Sequence, residues 1–171
     1  MYVSKRLLLP ALVAALVASS LVFAISASAH HDSRPSTSEP FLDSSLAPSI
    51  PTDPTIHGVL PGGAAWALSD ASVRVSLDGR VKIRVDGLIL PSLGTAGPVT
   101  GIVAELFCGA DSDTKPAAST AAVPLSTTGD AEISTTVTLP STCLAPIVLI
   151  NPMIGTTLHG TIYIAITGYT P

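Results

Sequence analysis

"VRVSLDGRVKIRV" (Val73–Val85) alternates apolar and polar residues on both sides of Leu77-Asp78-Gly79, and its reading decides the fold. Alternation with a period of two marks half-buried strands, and the turn between them fixes the register. A two-residue Asp78-Gly79 turn would set Val75 against Lys82 and Val73 against Arg84, mixing apolar and charged groups on both faces. A three-residue loop, Leu77-Asp78-Gly79, instead puts Gly79 in the left-handed position that such loops favour. It opposes Val75 to Val81 and Val73 to Ile83, all pointing inward. Arg74, Arg80, Lys82 and Arg84 then gather on the outer face beside Ser72 and Ser76. These four cations are half of the chain's eight Lys and Arg residues, in a protein whose formal net charge is −4.

The flanking sequence continues in the same idiom. "VTGIVAELFC" (residues 99–108) reads as a longer, more apolar strand, and "AAVPL" (residues 121–125) as a short one that Pro124 confines to an edge or a bulge. "AEISTTVTL" (residues 131–139) puts Ala131, Ile133, Thr135, Val137 and Leu139 on one face, with Glu132, Ser134, Thr136 and Thr138 on a wet one. "IVLI" (residues 147–150) is continuously apolar, as expected of a strand covered on both sides. "TIYIAIT" (residues 161–167) reads as the closing strand. Turn signals fall between these runs at Pro91-Ser92, Gly97-Pro98, Gly129-Asp130 and Asn151-Pro152. No apolar repeat with a period of 3.6 follows residue 29. The expected class is all-β, specifically an immunoglobulin-like antiparallel sandwich of about seven strands.

The amino-terminal third of the chain differs in kind. Lys5 and Arg6 precede an apolar run from Leu7 to Ile25, and Ala27-Ser28-Ala29 supplies the small residues of a signal peptidase site. Residues 1–29 therefore read as a signal peptide, and the chain as secreted, with no membrane span once cleaved. The alternative is a retained anchor, because the run approaches the roughly 20 residues that span a bilayer. Residues 30–58 mix Pro, Ser, Thr and Asp without apolar periodicity. Repeated Pro opposes helix and central strand alike, so a disordered linker is expected there, ahead of a folded domain over 59–171.

Cys108 ends one expected strand and Cys143 stands just before another. In an oxidising compartment a lone cysteine pair points to a disulfide, closing a loop worth about 4 kcal/mol on the chain-entropy account. Cys108, Gly129-Asp130-Ala131, Leu139-Pro140 ahead of Cys143, and Ala145-Pro146 together give the stretch 101–168 a likeness. It resembles a group of small secreted bacterial β-sandwich proteins with one disulfide. Where that group often carries Trp-Phe-Ala in its last strand, this chain has Tyr163-Ile164-Ala165. The resemblance implies a secreted all-β fold and no catalytic activity.

Motifs for chemistry are scarce. The sequence has no G-x-S-x-G elbow, glycine-rich phosphate loop, HExxH or CxxC. Asp111-Ser112-Asp113 opens like a calcium loop but lacks its later ligands and its glycine, so turn capping is the simpler reading. Glu105 lies in an apolar strand, either half-buried with a shifted pKa or facing solvent between core residues. "TIHG" (residues 55–58) and "TLHG" (residues 157–160) would bring His57 and His159 together if the first and last strands were neighbours. Cleavage after Ala29 would expose His30 as a free amine beside His31, a pairing that suits copper. These histidines are the weak metal candidates, and no cofactor is expected. Trp66, Phe107, Tyr163 and Tyr169 are too few for a sugar platform, and a net acidic chain excludes nucleic acid as the natural partner. What remains is a non-catalytic secreted module with an interaction or structural role. Arg74, Arg80, Lys82 and Arg84 either form a solvated face that discourages aggregation or dock an anionic cell-envelope polymer or acidic protein.

Overall fold

The computed structural model describes residues 39–168. In chain order its strands are β1 (Pro40–Pro48), β2 (Leu60–Pro61), β3 (Asp70–Ser76), β4 (Arg80–Asp86), β5 (Val99–Phe107) and β6 (Ala118–Ser119). They continue with β7 (Val123–Pro124), β8 (Ala131–Thr136), β9 (Ile147–Ile154), β10 (Thr157–Leu158), β11 (Ile162–Tyr163) and β12 (Ala165–Thr167). The described residues contain no helix, hence none long and apolar enough to cross a membrane. The signal peptide expected over 1–29 and the candidates His30 and His31 lie outside the described residues.

The hairpin of β3 and β4 takes the three-residue register: Val75 opposes Val81, Val73 opposes Ile83 and Arg74 opposes Lys82. Gly79 sits at φ 83° and donates its N–H to the Ser76 carbonyl, which closes the loop. β8 adds to the far side of β4 with Ile133 opposite Ile83, so a row of apolar side chains continues inward across three strands.

One curled antiparallel sheet runs in the order β6-β5-β9-β12-β1-β3-β4-β8. The curl comes from β1, which changes partners along its length. Pro40 to Ser45 pair with β3, whereas Leu46 to Pro48 pair with β12. Its two halves thereby belong to opposite sides of a sandwich-like fold. Val73, Val75, Val81, Ile83 and Ile133 from one side meet Ile102, Ala104, Leu106, Val148 and Ile150 from the other in a single buried cluster.

β1 corrects the expected linker over 30–58. Pro40 and Pro48 occupy its first and last positions, where a missing N–H is tolerated, and the seven residues between them contain no proline. Phe41, Leu42 and Leu46 pack on the core. Two further expectations are refined. Asn151-Pro152, expected as a turn, falls inside β9. The single closing strand expected over 161–167 breaks at Ile164 into β11, which pairs in parallel with β2, and β12, which pairs antiparallel with β9.

The continuous apolar run of β9 is covered on both sides, as its composition implied. Val148 and Ile150 face the main core, while Leu149 joins Val59, Phe107 and Tyr163 in a second buried cluster. Ile56 packs against that cluster from the segment ahead of β2, which therefore covers the outer surface of β5 and β9. Cys108 and Cys143 form a disulfide with Cα atoms 5.0 Å apart, joining the end of β5 to the approach to β9.

Candidate functional site: the cationic face of the hairpin

The alternation of β3 and β4 sends Arg74, Arg80, Lys82 and Arg84 outward, and all four side chains are exposed. Arg74 directly opposes Lys82 across the hairpin, a like-charge pair that costs stability when left alone. Neighbouring strands compensate it. Asp43 of β1 lies opposite Arg74 on its other flank, and the Arg74 guanidinium donates to the Asp43 carboxylate. Arg80 pairs with Asp78 at 2.8 Å and Arg84 with Asp86 at 2.7 Å. Glu132 of β8 stands opposite Arg84. Lys82, at the centre, has no ion-pair partner within 4.0 Å among the described residues.

Electrostatics follow this geometry. Desolvation alone would raise the Asp78 carboxyl, but the Arg80 backbone N–H and guanidinium outweigh it and hold the group below its ordinary value. Hydrogen bonding to Asp86 raises the already high Arg84 value. Charged pairs this exposed add little to stability, so a competing anion can displace their carboxylates at small cost.

Ser76 departs from expectation. It belongs by alternation to the wet face yet is only 7% exposed, beside the irregular pairing of Pro40 and Leu42 with β3. It forms part of a hollow of about 160 Å³ lined by Arg74, Ser76, Arg80 and Lys82. Three cationic side chains and one hydroxyl-bearing side chain thus converge on a space open to solvent. The sequence indicated the cations. The hollow itself is not legible there, because it depends on how these side chains and Ser76 sit together across the hairpin.

The other candidate residues have structural roles. His57 is buried, stacks on Phe107 with ring centroids 4.9 Å apart, and its Nδ1–H donates to the Asp113 carbonyl. The Asp111 carboxylate accepts the His57 backbone N–H, so the Asp111-Ser112-Asp113 stretch anchors a loop. His159 precedes β11, which pairs in parallel with the β2 that follows His57, and it donates its backbone N–H to the Pro152 carbonyl. No cluster of three metal-ligating side chains occurs among the described residues. Trp66, Phe107 and Tyr163 are all buried, and the Tyr163 hydroxyl donates to the Pro54 carbonyl at 2.8 Å. Tyr169 lies outside the described residues.

Glu105 is 8% exposed. Desolvation raises its carboxyl above the ordinary value of 4.5, against the opposing pull of a hydrogen bond with Ser119. Glu105 is therefore buried with a raised pKa, more deeply than half-buried, and does not face solvent. In the neighbouring strand β9, Asn151 is fully buried, and its Nδ2 donates to the Ile162 and Gly160 carbonyls. Its Oδ1 is the buried side-chain acceptor without a partner among the described residues. In the sequence Asn151 is hidden by its neighbour, because Asn-Pro is so common a turn signal.

No family model matches the chain. Neither a curated protein nor a solved structure matches it.

Proposed function

We propose that the chain is a secreted, non-catalytic β-module that engages an anionic extracellular partner through the outer face of β1, β3, β4 and β8. The observation that carries this reading is the hollow lined by Arg74, Ser76, Arg80 and Lys82. A phosphate, sulfate or carboxylate group seated there would meet Lys82, which has no ion-pair partner among the described residues, and two guanidiniums whose carboxylate partners are displaceable. A repeating anionic polymer of the cell envelope, or an acidic protein surface, offers such groups in series and gains affinity from several weak contacts. The resemblance of residues 101–168 to small secreted bacterial β-sandwich proteins implies secretion and no catalysis, and it bears on that part of the proposal alone.

The expected attachment is weak and sensitive to salt, because it is made by exposed charges. Replacing Arg74, Arg80 and Lys82 with Gln should abolish low-salt retention of the purified protein on isolated anionic envelope polymer, with the melting temperature nearly unchanged. Equal retention of parent and variant would leave the stripe as a wet face only.

A further inference from the structure

The two ends of the curled sheet are treated differently. At one end β5 is flanked only by β6 and β7, two residues each, with Pro116 just before the first and Pro124 within the second. Short, proline-bearing edge strands resist pairing with other chains. At the other end stands β8, six residues of Ala-Glu-Ile-Ser-Thr-Thr without proline or lysine.

The open side of β8 can be read residue by residue. Val137 donates its N–H to the Gly79 carbonyl, which turns the odd-numbered backbone groups of this strand toward β4. By alternation, the N–H and C=O of Glu132, Ser134 and Thr136 point out of the sheet. No backbone hydrogen bond reaches them among the described residues. Thr135, on the inner face opposite Val81, is nevertheless exposed. β7 comes near β8 without pairing to it, and among the described residues no strand pairs with the open edge.

We infer that a second copy of this chain pairs with that edge, β8 against β8 in antiparallel register with Ser134 on the two-fold axis. This register joins outward groups to outward groups, Ser134 to Ser134 and Glu132 to Thr136 of the second copy in both directions. It sets Ile133 of each copy against the exposed Thr135 of the other. No like charges are opposed across the seam. Because Arg80 neighbours Thr136 and Arg84 neighbours Glu132 within each sheet, each Glu132 is flanked by Arg84 of its own copy and lies in line with Arg80 of the second. Self-pairing in this register is therefore complementary in charge. It also merges two cationic faces into one continuous surface, although the pairing does not depend on any anion.

Sedimentation equilibrium of the purified protein over a wide concentration series, with no anionic polymer present, tests the inference. The parent should show a monomer–dimer equilibrium. Ser134→Lys and Ser134→Glu should each weaken self-association roughly tenfold or more by opposing like charges on the axis, while a 1:1 mixture of the two should restore it. Ser134→Pro removes an outward N–H that β4 does not use, so it should block the dimer and match the parent's melting temperature at concentrations where the parent is monomeric. A parent that stays monomeric overturns the inference, and so does a dimer indifferent to Ser134. Strong hydrogen-exchange protection of the Glu132, Ser134 and Thr136 amides in a monomeric parent also overturns it, because a segment of the same chain would then cover the edge.

Discussion

Gly79 and Glu105 show how much hangs on single residues. A Cβ at residue 79 would collide with the Val137 carbonyl oxygen, at a backbone φ of 83° that side chains rarely adopt. The same residue's carbonyl accepts the Val137 N–H, so hairpin and β8 are both held at this point. Gly79→Ala should lower stability by about 1–2 kcal/mol for the left-handed backbone alone, and further for the clash. A melt unchanged from the parent would contradict the three-residue loop. Glu105 acts through protonation. Burial raises its folded-state pKa, so the folded protein holds this proton to higher pH than the unfolded chain does. The stability from the protonated form is full below the unfolded value near 4.5 and is lost as pH rises through the higher folded one. Glu105→Gln should therefore melt above the parent at pH 7, with the gain shrinking toward pH 4. The same difference at both pH values would mean that ionisation of Glu105 is immaterial.

Among the elements, β5 and the segment entering β9 are joined by Cys108–Cys143, closing a loop with a sequence separation of 35. Replacing both cysteines with Ser should cost about 2–5 kcal/mol, the usual range for a small secreted domain. The variant should still fold, since the main core draws on both sides of the sandwich, but denaturant titration should find an earlier midpoint. An unmoved midpoint would make the bridge irrelevant to stability. The disulfide, the hairpin register and the two-sided cover of β9 were legible because each rests on residues close in sequence or on composition within one strand. Val73–Val85 contains both partners of its own pairing, and the inward valines leave one self-consistent register. β1 was not legible. Its alternation is interrupted at Phe41-Leu42, the site of irregular pairing with β3, and Pro40 and Pro48 look like linker prolines until their terminal positions in the strand are known.

For the molecule as a whole, β1 is the element that makes one sheet of two halves. It lies between β12 and β3, and Leu46 is buried where it changes partner. A chain begun at Gly58 should therefore lose cooperative thermal unfolding, whereas one begun at Ser33 should melt like the parent. Equal melting of the two would restore the linker reading of residues 30–58. The sequence by itself determined the all-β class, the hairpin and its loop, the cysteine pairing, and the outward placement of Arg74, Arg80, Lys82 and Arg84. Each follows from local periodicity or from having one possible partner. Tertiary structure alone decided that Asp43 meets Arg74 from 31 residues away, whereas Asp78 and Asp86 are sequence neighbours of the arginines they pair with. It alone carried β1 across both halves and left β8 open at the edge. Pairing between distant strands depends on the shape of the closed core, and no short window of sequence contains that shape.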